Sequence, residues 1–394
     1  MTAPVAEAAE KLDLILGMQQ LSDSRILLND AGHLRLLIFD STLTNFSILA
    51  DGSGKAGDYG ASPAQLIPYL ADSSLFVQSA SRTLLLIDNV GKIVRTLALP
   101  KSADIGYVGG SRVAIDLKGR LVYRAAYATT PLAPILKAGT YVTQPPDSAP
   151  LVRADFESRQ IDTLAVVKIV KSAQLSTTRT DAGTISSRTV VYPLSTVDDW
   201  DVLSDGSLAI VRGHDYHVDW MNSDGDRVSS QKMPFDWLRL SDEDKRRLAD
   251  SARTSHERQL RPNGNQGSKA PSSGDKMTLS MSLNRTDGTR SVSPTNTVVE
   301  NAPLEMIPDY FPPLRSGSVR ADRENNLWVL PTTTSRGLDG QIVYDIIRNH
   351  GRLAERVRLP VGRSIVGFGA NGAVFLTWRD SSQSWHFEKR RVKR

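Results

Sequence analysis

The chain has 394 residues, of which 40% are hydrophobic and 23% charged, an ordinary composition for a globular protein that excludes gross disorder. Its formal net charge of +5 is small beside 48 basic and 43 acidic residues, so the composition does not indicate a nucleic-acid partner. Cysteine is absent, which excludes disulfides, thiolate metal sites and thiol catalysis. No stretch reaches the roughly 20 apolar residues of a membrane helix, and residues 1–10 lack the pattern of a secretion signal.

One pattern recurs along the chain, in which short apolar strands are separated by polar turns. In the clearest copy, which begins at Leu203, Asp205-Gly206 predicts a hairpin turn, 208–212 a strand and 216–221 a second strand. The other copies begin at Leu21, Ala71, Leu117, Arg323 and Gly369. Where no insert intervenes, the copies start about 45 to 50 residues apart, which is close to the length of a four-stranded propeller blade. The sequence therefore predicts an all-β fold, a single six-bladed β-propeller over residues 11–394.

The two ends of the chain are expected to complete one blade together. The sixth copy runs out near Val392 after two clear strands, while residues 12–20 resemble a strand ahead of the first copy. A blade buries its faces only against its neighbours, so the array must close. Which terminus supplies the closing strand stays open at this point.

Two inserts interrupt the blades. Residues 128–150 contain five prolines and predict a long loop over one face. In the second insert, 241–302, Ser241 is a good N-cap and Asp242, Glu243 and Asp244 follow it, which predicts a helix over 241–260. Residues 261–296 are polar and rich in Gly, Ser and Pro, which predicts a long disordered loop.

Several phrases resemble bacterial six-bladed propellers of the NHL or TolB-like kind. They read DGSLAIVRGHDYHVDW, MPFDWLRLSDEDK, IPDYFPPLRSGSVRADRENNLWV and YDIIRNHGRLAERVRLP, followed by IVGFGANGAVFL. The resemblance implies the architecture and an extracytoplasmic, periplasmic location, because many such proteins are exported. It implies no particular reaction.

The sequence contains no motif typical of catalysis, metal binding or cofactor binding. His214 and His217 are three residues apart, a spacing that points to opposite faces of a strand. The run NSDGDR from Asn222 lacks the glycine position and closing Glu of a calcium loop, and a hairpin turn explains it. Asp199-Trp200-Asp201 resembles the start of an inner strand, and a central channel can collect carboxylates from different blades. We therefore predict no catalytic, metal or cofactor residue.

Partner-binding residues are predicted at two places. The segment PLEMIPDYFPPL that leaves the second insert carries Tyr310 and Phe311 among several prolines. The basic C-terminus could contact an acidic partner or anionic headgroups, or could simply be the solvated end of the closing strand. Its basic residues are Lys389, Arg390, Arg391, Lys393 and Arg394.

Two functions are consistent with these observations. The first is a non-catalytic protein-binding scaffold, in concrete form a membrane-extrinsic subunit docked on a membrane complex such as an electron-transfer or photosynthetic reaction-centre assembly. The alternative is a propeller-type lyase or hydrolase with its site at the mouth of the central channel. Neither function predicts a nucleic-acid partner or a membrane span.

Overall fold

The structure is a computed structural model that describes residues 1–53, 58–78, 81–126, 138–143, 146–182, 185–260, 277–284, 290–333, 341–348 and 351–392. For 277–284 and 290–297 the description covers the backbone alone. Within these residues, six four-stranded antiparallel sheets follow one another along the chain, and a further sheet has five strands. The predicted all-β propeller is confirmed.

The first half of the chain forms three blades. After a short strand, β1 (Ala6–Glu7), the first blade contains β2 (Ile15–Gln20), β3 (Ile26–Asp30), β4 (Arg35–Phe39) and β5 (Phe46–Asp51). The second contains β6 (Gln65–Pro68), β7 (Ser74–Gln78), β8 (Thr83–Ile87) and β9 (Ile93–Leu97). A 3-10 turn (Ser102–Asp104) and a short helix, α1 (Ile105–Gly110), lead to β10 (Val113–Ile115) and β11 (Leu121–Arg124). The chain then forms β12 (Gly139–Thr143) before β13 (Ser148–Ala154) and β14 (Ile161–Lys168) complete the third blade.

The second half supplies the other three blades. A hairpin of β15 (Ala173–Arg179) and β16 (Ile185–Val191) precedes the fourth blade, which contains β17 (Asp199–Val202), β18 (Leu208–Arg212), β19 (His217–Met221) and β20 (Arg227–Ser229). Then come a helix, α2 (Asp242–Leu260), two strands, β21 (Met277–Asn284) and β22 (Arg290–Asn301), and a 3-10 turn (Leu304–Met306). The fifth blade contains β23 (Val319–Ala321), β24 (Leu327–Val329), β25 (Val343–Arg348) and β26 (Arg352–Arg358). The sixth contains β27 (Ser364–Phe368), β28 (Ala373–Arg379) and β29 (Trp385–Arg391).

The N-terminus supplies the strand that closes the ring. Strand β1 pairs with β29 as the outer strand of the sixth blade, with Ala6 opposite Lys389 and Glu7 opposite Glu388. The expectation that one terminus completes a blade begun by the other is met. The closing strand comes from residues 6–7, however, so the propeller begins before residue 11, and most of the strand-like run at 12–20 forms the first strand of the first blade instead.

The hydrophobic core lies between neighbouring blades. Side chains of a strand alternate between its two faces. On β3, Ile26 and Leu28 pack toward Phe375 of the sixth blade, while Leu27 packs toward Phe76 of the second. Each blade therefore buries both faces only when its neighbours are present.

The turns explain the polar residues of the repeat. At the turn after β4, the carboxylate of Asp40 accepts backbone N–H groups of Thr42, Thr44 and Asn45 at 3.0–3.1 Å. Asp88 and Asp155 do the same after β8 and β13. Short polar side chains that bond their own backbone favour tight turns.

An accessory sheet stands outside the six blades. Its strand order is β12-β15-β16-β22-β21, and β22 runs parallel to β16. This differs from two predicted loops, because β12 lies in the 128–150 insert and β21 and β22 lie largely in the 261–296 segment. Polar strands with weak sequence signals are stabilised here by pairing with one another. The remaining parts of those predicted loops, 128–137, 144–145, 261–276 and 285–289, lie outside the described residues.

Helix α2 confirms the predicted cap. The Ser241 hydroxyl accepts the backbone N–H of Asp244 at 3.1 Å, and the Asp244 carboxylate accepts the Ser241 N–H at 3.2 Å. This reciprocal arrangement satisfies N–H groups that the first turn leaves unpaired. The helix is fastened by Lys245, whose ammonium lies 2.6 Å from the carboxylate of Asp309.

Buried tyrosines give the protein a predictable alkaline response. Burial raises the pKa of Tyr59 to about 12 and that of Tyr216, which donates to the buried Asp345 at 2.9 Å, well above its usual range. A tyrosine whose pKa is raised by folding stabilises the fold below its unfolded pKa near 10, and this stabilisation is lost as the pH rises further.

We therefore expect an alkaline titration to ionise the exposed tyrosines first. The buried ones, among the ten tyrosines of the chain, should ionise only together with loss of the strand signal in circular dichroism. Ionisation of all ten near pH 10 with an unchanged strand signal would contradict this assignment.

Candidate functional site

A cavity of about 1020 Å³ runs along the axis of the propeller and is the candidate site. Its wall is formed by the first strand of every blade, namely β2, β6, β10, β17, β23 and β27. The first strand of a blade pairs with a neighbour on one side only, so its other edge faces the channel. Polar backbone groups along that edge need partners from side chains or water.

Two aspartates of the fourth blade accept hydrogen bonds from backbone N–H groups on such an edge. Asp199 and Asp201 are two residues apart on β17 and so lie on the same face of the strand. Their carboxylates accept the backbone N–H groups of Val319 and Ala321 on β23, each at 2.8 Å. These paired bonds also show that β17 and β23 run in the same direction along the channel.

Arg112 joins these carboxylates from the third blade. Its guanidinium donates to Asp201 at 3.0 Å and lies 3.9 Å from Asp199. Burial raises the pKa of Asp199, and the positive charge of Arg112 partly opposes that increase. The three side chains form an ion pair network across the boundary of the third and fourth blades.

Two more arginines point positive charge at the same region. Arg320 lies on β23 between the two N–H groups that the aspartates accept, and its surface remains partly open to the channel. Burial and the nearby charge of Arg112 lower the pKa of Arg320. Arg124 ends β11, and extending the β10-β11 register by one residue places it opposite Arg112. The channel thus presents guanidinium groups from the third and fifth blades beside two carboxylates.

This cluster was only partly predictable. The sequence indicated that Asp199 and Asp201 begin an inner strand, and the structure confirms it. Nothing in the sequence indicated Arg112, Arg124 or Arg320. Arg320 lies on an inner strand, Arg112 directly precedes one, and Arg124 lies opposite Arg112 on the neighbouring strand. These positions can be recognised only when the strand order is known.

The predicted basic end is placed within the sixth blade. Lys389, Arg390 and Arg391 belong to β29, which lies between β28 and β1. Arg390 is buried and its guanidinium donates to Glu388 at 2.7 Å, so it is committed to packing inside the blade. Arg391 is exposed and Lys389 is half-buried. Lys393 and Arg394 lie outside the described residues.

The predicted aromatic pair is split by the structure. Phe311 is buried, at 5% exposure, whereas Tyr310 remains 44% exposed. The segment around them pairs with the chain that leaves the fourth blade. Phe311 donates its N–H to the Leu238 carbonyl at 2.9 Å, and Leu240 donates to the Asp309 carbonyl at 2.8 Å.

This pairing creates an exposed aromatic surface that the sequence did not predict. The ring of Trp237 meets that of Tyr310 edge to face, with centroids 6.2 Å apart, and Trp237 is itself 42% exposed. Leu238, whose carbonyl accepts the Phe311 N–H, is 45% exposed. Trp237 also contacts Phe235, whose ring packs on the buried Tyr216. We call Trp237, Leu238 and Tyr310 the aromatic patch.

The other motifs considered in the sequence have structural roles. His217 lies between Asp215 and Asp219, with Nδ1 and Nε2 at 2.5 and 3.1 Å from their carboxylates. The Asn222 side chain accepts the N–H groups of Asp224 and Asp226, as a hairpin turn requires. Among the described residues, no group of three or more histidine or acidic side chains is placed to hold a metal ion.

Comparisons with known proteins show distant similarity alone. No family profile matches the chain, and no curated protein matches it either. An inactive virginiamycin B lyase from Staphylococcus aureus is 9% identical, covering 97% of this chain and 98% of its own, with a TM-score of 0.40. A candidate exported protein from Bacteroides fragilis is 11% identical (98% and 94% covered, TM-score 0.45), and an aldose sugar dehydrogenase from Streptomyces coelicolor is 12% identical (98% and 96%, TM-score 0.38). Identities this low transfer no activity.

In the described part of the chain, no helix combines the length and the apolar character needed to cross a bilayer.

Proposed function

We propose that this propeller is a non-catalytic scaffold that docks on a protein partner through the aromatic patch. The observation that carries the proposal is the exposure of Trp237, Leu238 and Tyr310 side by side on a backbone held by cross-segment hydrogen bonds. Exposed apolar surface is ordinary when scattered, but adjoining Trp and Tyr side chains are typical of interaction sites. A rigid backbone lowers the entropy lost on binding.

In its finer form, the partner is a membrane complex, such as an electron-transfer or photosynthetic assembly, and this protein is an extrinsic, extracytoplasmic subunit of it. A propeller of the NHL or TolB-like kind would suit that role. The basic end would provide a second contact through the half-buried Lys389 and the exposed Arg391, with Lys393 and Arg394 beyond them. Phe311 and Arg390 would support these surfaces from inside.

The test compares two double variants in the native host. Replacing Trp237 and Tyr310 together by Ser removes the aromatic patch, while replacing Val90 and Val94 by Ser removes a similarly exposed apolar pair on the second blade, at 56% and 61% exposure. Tagged proteins are purified from detergent-solubilised membranes after cross-linking, and copurifying subunits are quantified.

We expect a stoichiometric membrane-protein partner with the wild type and the valine variant. The aromatic variant should lose affinity by about 30-fold or more, because even one central aromatic residue contributes about 2 kcal/mol or more. Equal melting temperatures of the two variants would show that folding is intact. Equal partner recovery with both would remove the aromatic patch from the interface.

The alternative is a lyase or hydrolase with its site at the channel mouth. Two observations support this alternative, namely the cavity of about 1020 Å³ and the raised pKa of Asp199. A buried carboxyl group with a raised pKa is suited to proton transfer. Turnover of a small molecule that is abolished in Asp199→Asn, with no stoichiometric partner, would replace the scaffold proposal by this one.

A further inference from the structure

The central channel holds more cationic hydrogen-bond donors than its own carboxylates can use. Five cationic side chains and four carboxylates line it. The cations are Arg112, Arg124, Lys168, Arg320 and Arg323, and the carboxylates are Asp198, Asp199, Asp201 and Asp322. Each guanidinium offers five N–H donors, so arginines dominate the donor count.

Two of the four carboxylates are already committed outside this cluster. Asp322 accepts two backbone N–H groups of its own turn, the side-chain amide of Asn326 and the indole N–H of Trp328. Asp198 accepts the N–H groups of Lys168 and Gly213 and the guanidinium of Arg212.

The remaining two carboxylates serve the strand edge and Arg112. Asp199 and Asp201 bind the β23 backbone and Arg112, as described above. They attract Arg320 only through space. The carboxylates of the lining therefore leave little acceptor capacity for further arginines.

Arg320 and Arg124 are the donors left over. Among contacts within the described residues, the single hydrogen bond of the Arg320 side chain reaches the Val366 carbonyl at 3.5 Å, the limit of such a bond. The Nε of Arg124 is buried and has no hydrogen-bond partner there. The Nε of Arg112 is likewise buried without a hydrogen-bond partner, although the Arg112 guanidinium is ion-paired with Asp201. A buried donor without an acceptor is costly, so the Nε atoms of Arg124 and Arg112, near the partly exposed Arg320, indicate a place for an acceptor in the channel.

We propose that the channel binds a small organic carboxylate, whose oxygens occupy the space between Arg320 and Arg124 beside Arg112. The planar fork of a guanidinium matches a carboxylate with two parallel hydrogen bonds. A singly charged group suits this site better than a phosphate dianion, because Asp199 and Asp201 stand next to the arginines and would repel the second charge. Val366 and Phe368 line the channel and are partly exposed, so they can contact an apolar body.

This site is independent of the docking proposal, because it uses the channel and not the aromatic patch. Calorimetric titration of the full chain with benzoate, benzamide and inorganic phosphate tests it. Benzamide has the shape of benzoate without its charge. We expect benzoate to bind at least tenfold more tightly than benzamide and more tightly than phosphate.

Variants localise the site. Arg320→Gln and Arg124→Gln should each weaken benzoate binding at least tenfold. Arg323→Gln is the matched control, because Arg323 lines the same channel, but it follows the end of β23 and donates to the Gln20 carbonyl at 2.6 Å. It should change benzoate affinity by less than about twofold, which is less than the loss of one hydrogen bond to a charged group would cause.

Thermal melting without ligand separates binding from structural support. The Arg320 side chain is partly exposed and makes one weak hydrogen bond within the described residues, so Arg320→Gln should melt at about the same temperature as the wild type. Should that variant fail to fold, Arg320 is structural and the proposal falls for that residue, leaving Arg124→Gln to decide whether a site exists. Absence of benzoate binding at millimolar concentration, equal binding of benzamide, or tighter binding of phosphate would each overturn the proposal.

Discussion

Gly17→Ala is expected to destabilise the fold by about 3–5 kcal/mol, at or above the upper end of the effects that point mutations usually have. Gly17 has φ of +120°, and a Cβ there would lie 2.1 Å from the carbonyl oxygen of Leu66 on the neighbouring blade. It sits in β2 at an irregularity of the β2-β3 register, where the first strands of the first two blades approach closely. Relief would require separating two blades, since the contact is with backbone and no side chain can move aside.

Urea unfolding of the variant measures this cost. Gly106→Ala is the matched control, because Gly106 lies in α1 with nothing within 4 Å of the added atom and needs no positive φ. It should be neutral or stabilise by up to about 1 kcal/mol, the difference in helix propensity. If the two variants unfold at the same urea concentration, the close approach of Gly17 to Leu66 on the neighbouring blade is contradicted.

Asp322→Ala should have the second largest effect, a loss of about 3–4 kcal/mol. The buried carboxylate accepts N–H groups of Glu324 and Asn326, the Asn326 amide at 2.7 Å and the Trp328 indole at 2.9 Å. Removing it leaves several donors without an acceptor, and each buried unsatisfied donor costs about 1–3 kcal/mol. Some of that cost will be recovered by water entering from the channel.

The control is the equivalent turn of an outer strand. Asp88 accepts the N–H groups of Val90 and Lys92 at 3.0 and 2.8 Å, but its turn is open to solvent. Asp88→Ala should therefore cost about 1 kcal/mol or less, because water can replace the lost acceptor. Chemical denaturation with fluorescence detection suits the comparison, since Trp328 reports on the affected turn. A larger loss of stability for Asp88→Ala than for Asp322→Ala would contradict the argument that burial makes the hydrogen bonds of Asp322 more important.

The sequence alone determined the blades, because their signals are local. Tight turns depend on a few neighbouring residues, so Asp205-Gly206 and the Asn222 turn could be placed, and the predicted strand at 208–212 coincides with β18. The Ser241 cap is equally local, since its hydroxyl and the Asp244 carboxylate are three residues apart. Repetition of such signals predicted closure, because a blade cannot bury its faces alone.

Only the tertiary structure decided what lies where distant segments meet. The accessory sheet depends on β22 pairing with β16 more than 100 residues earlier in the chain, which no local pattern specifies. The aromatic patch depends on Trp237 reaching Tyr310, and the channel cluster on Arg112 reaching Asp201 and Arg320 from other blades. Hydrophobic periodicity records which face of a strand is buried, but it does not record which blade that face will meet. Closure of the ring therefore determines which long side chains meet in the channel, and hence which chemical groups the channel presents.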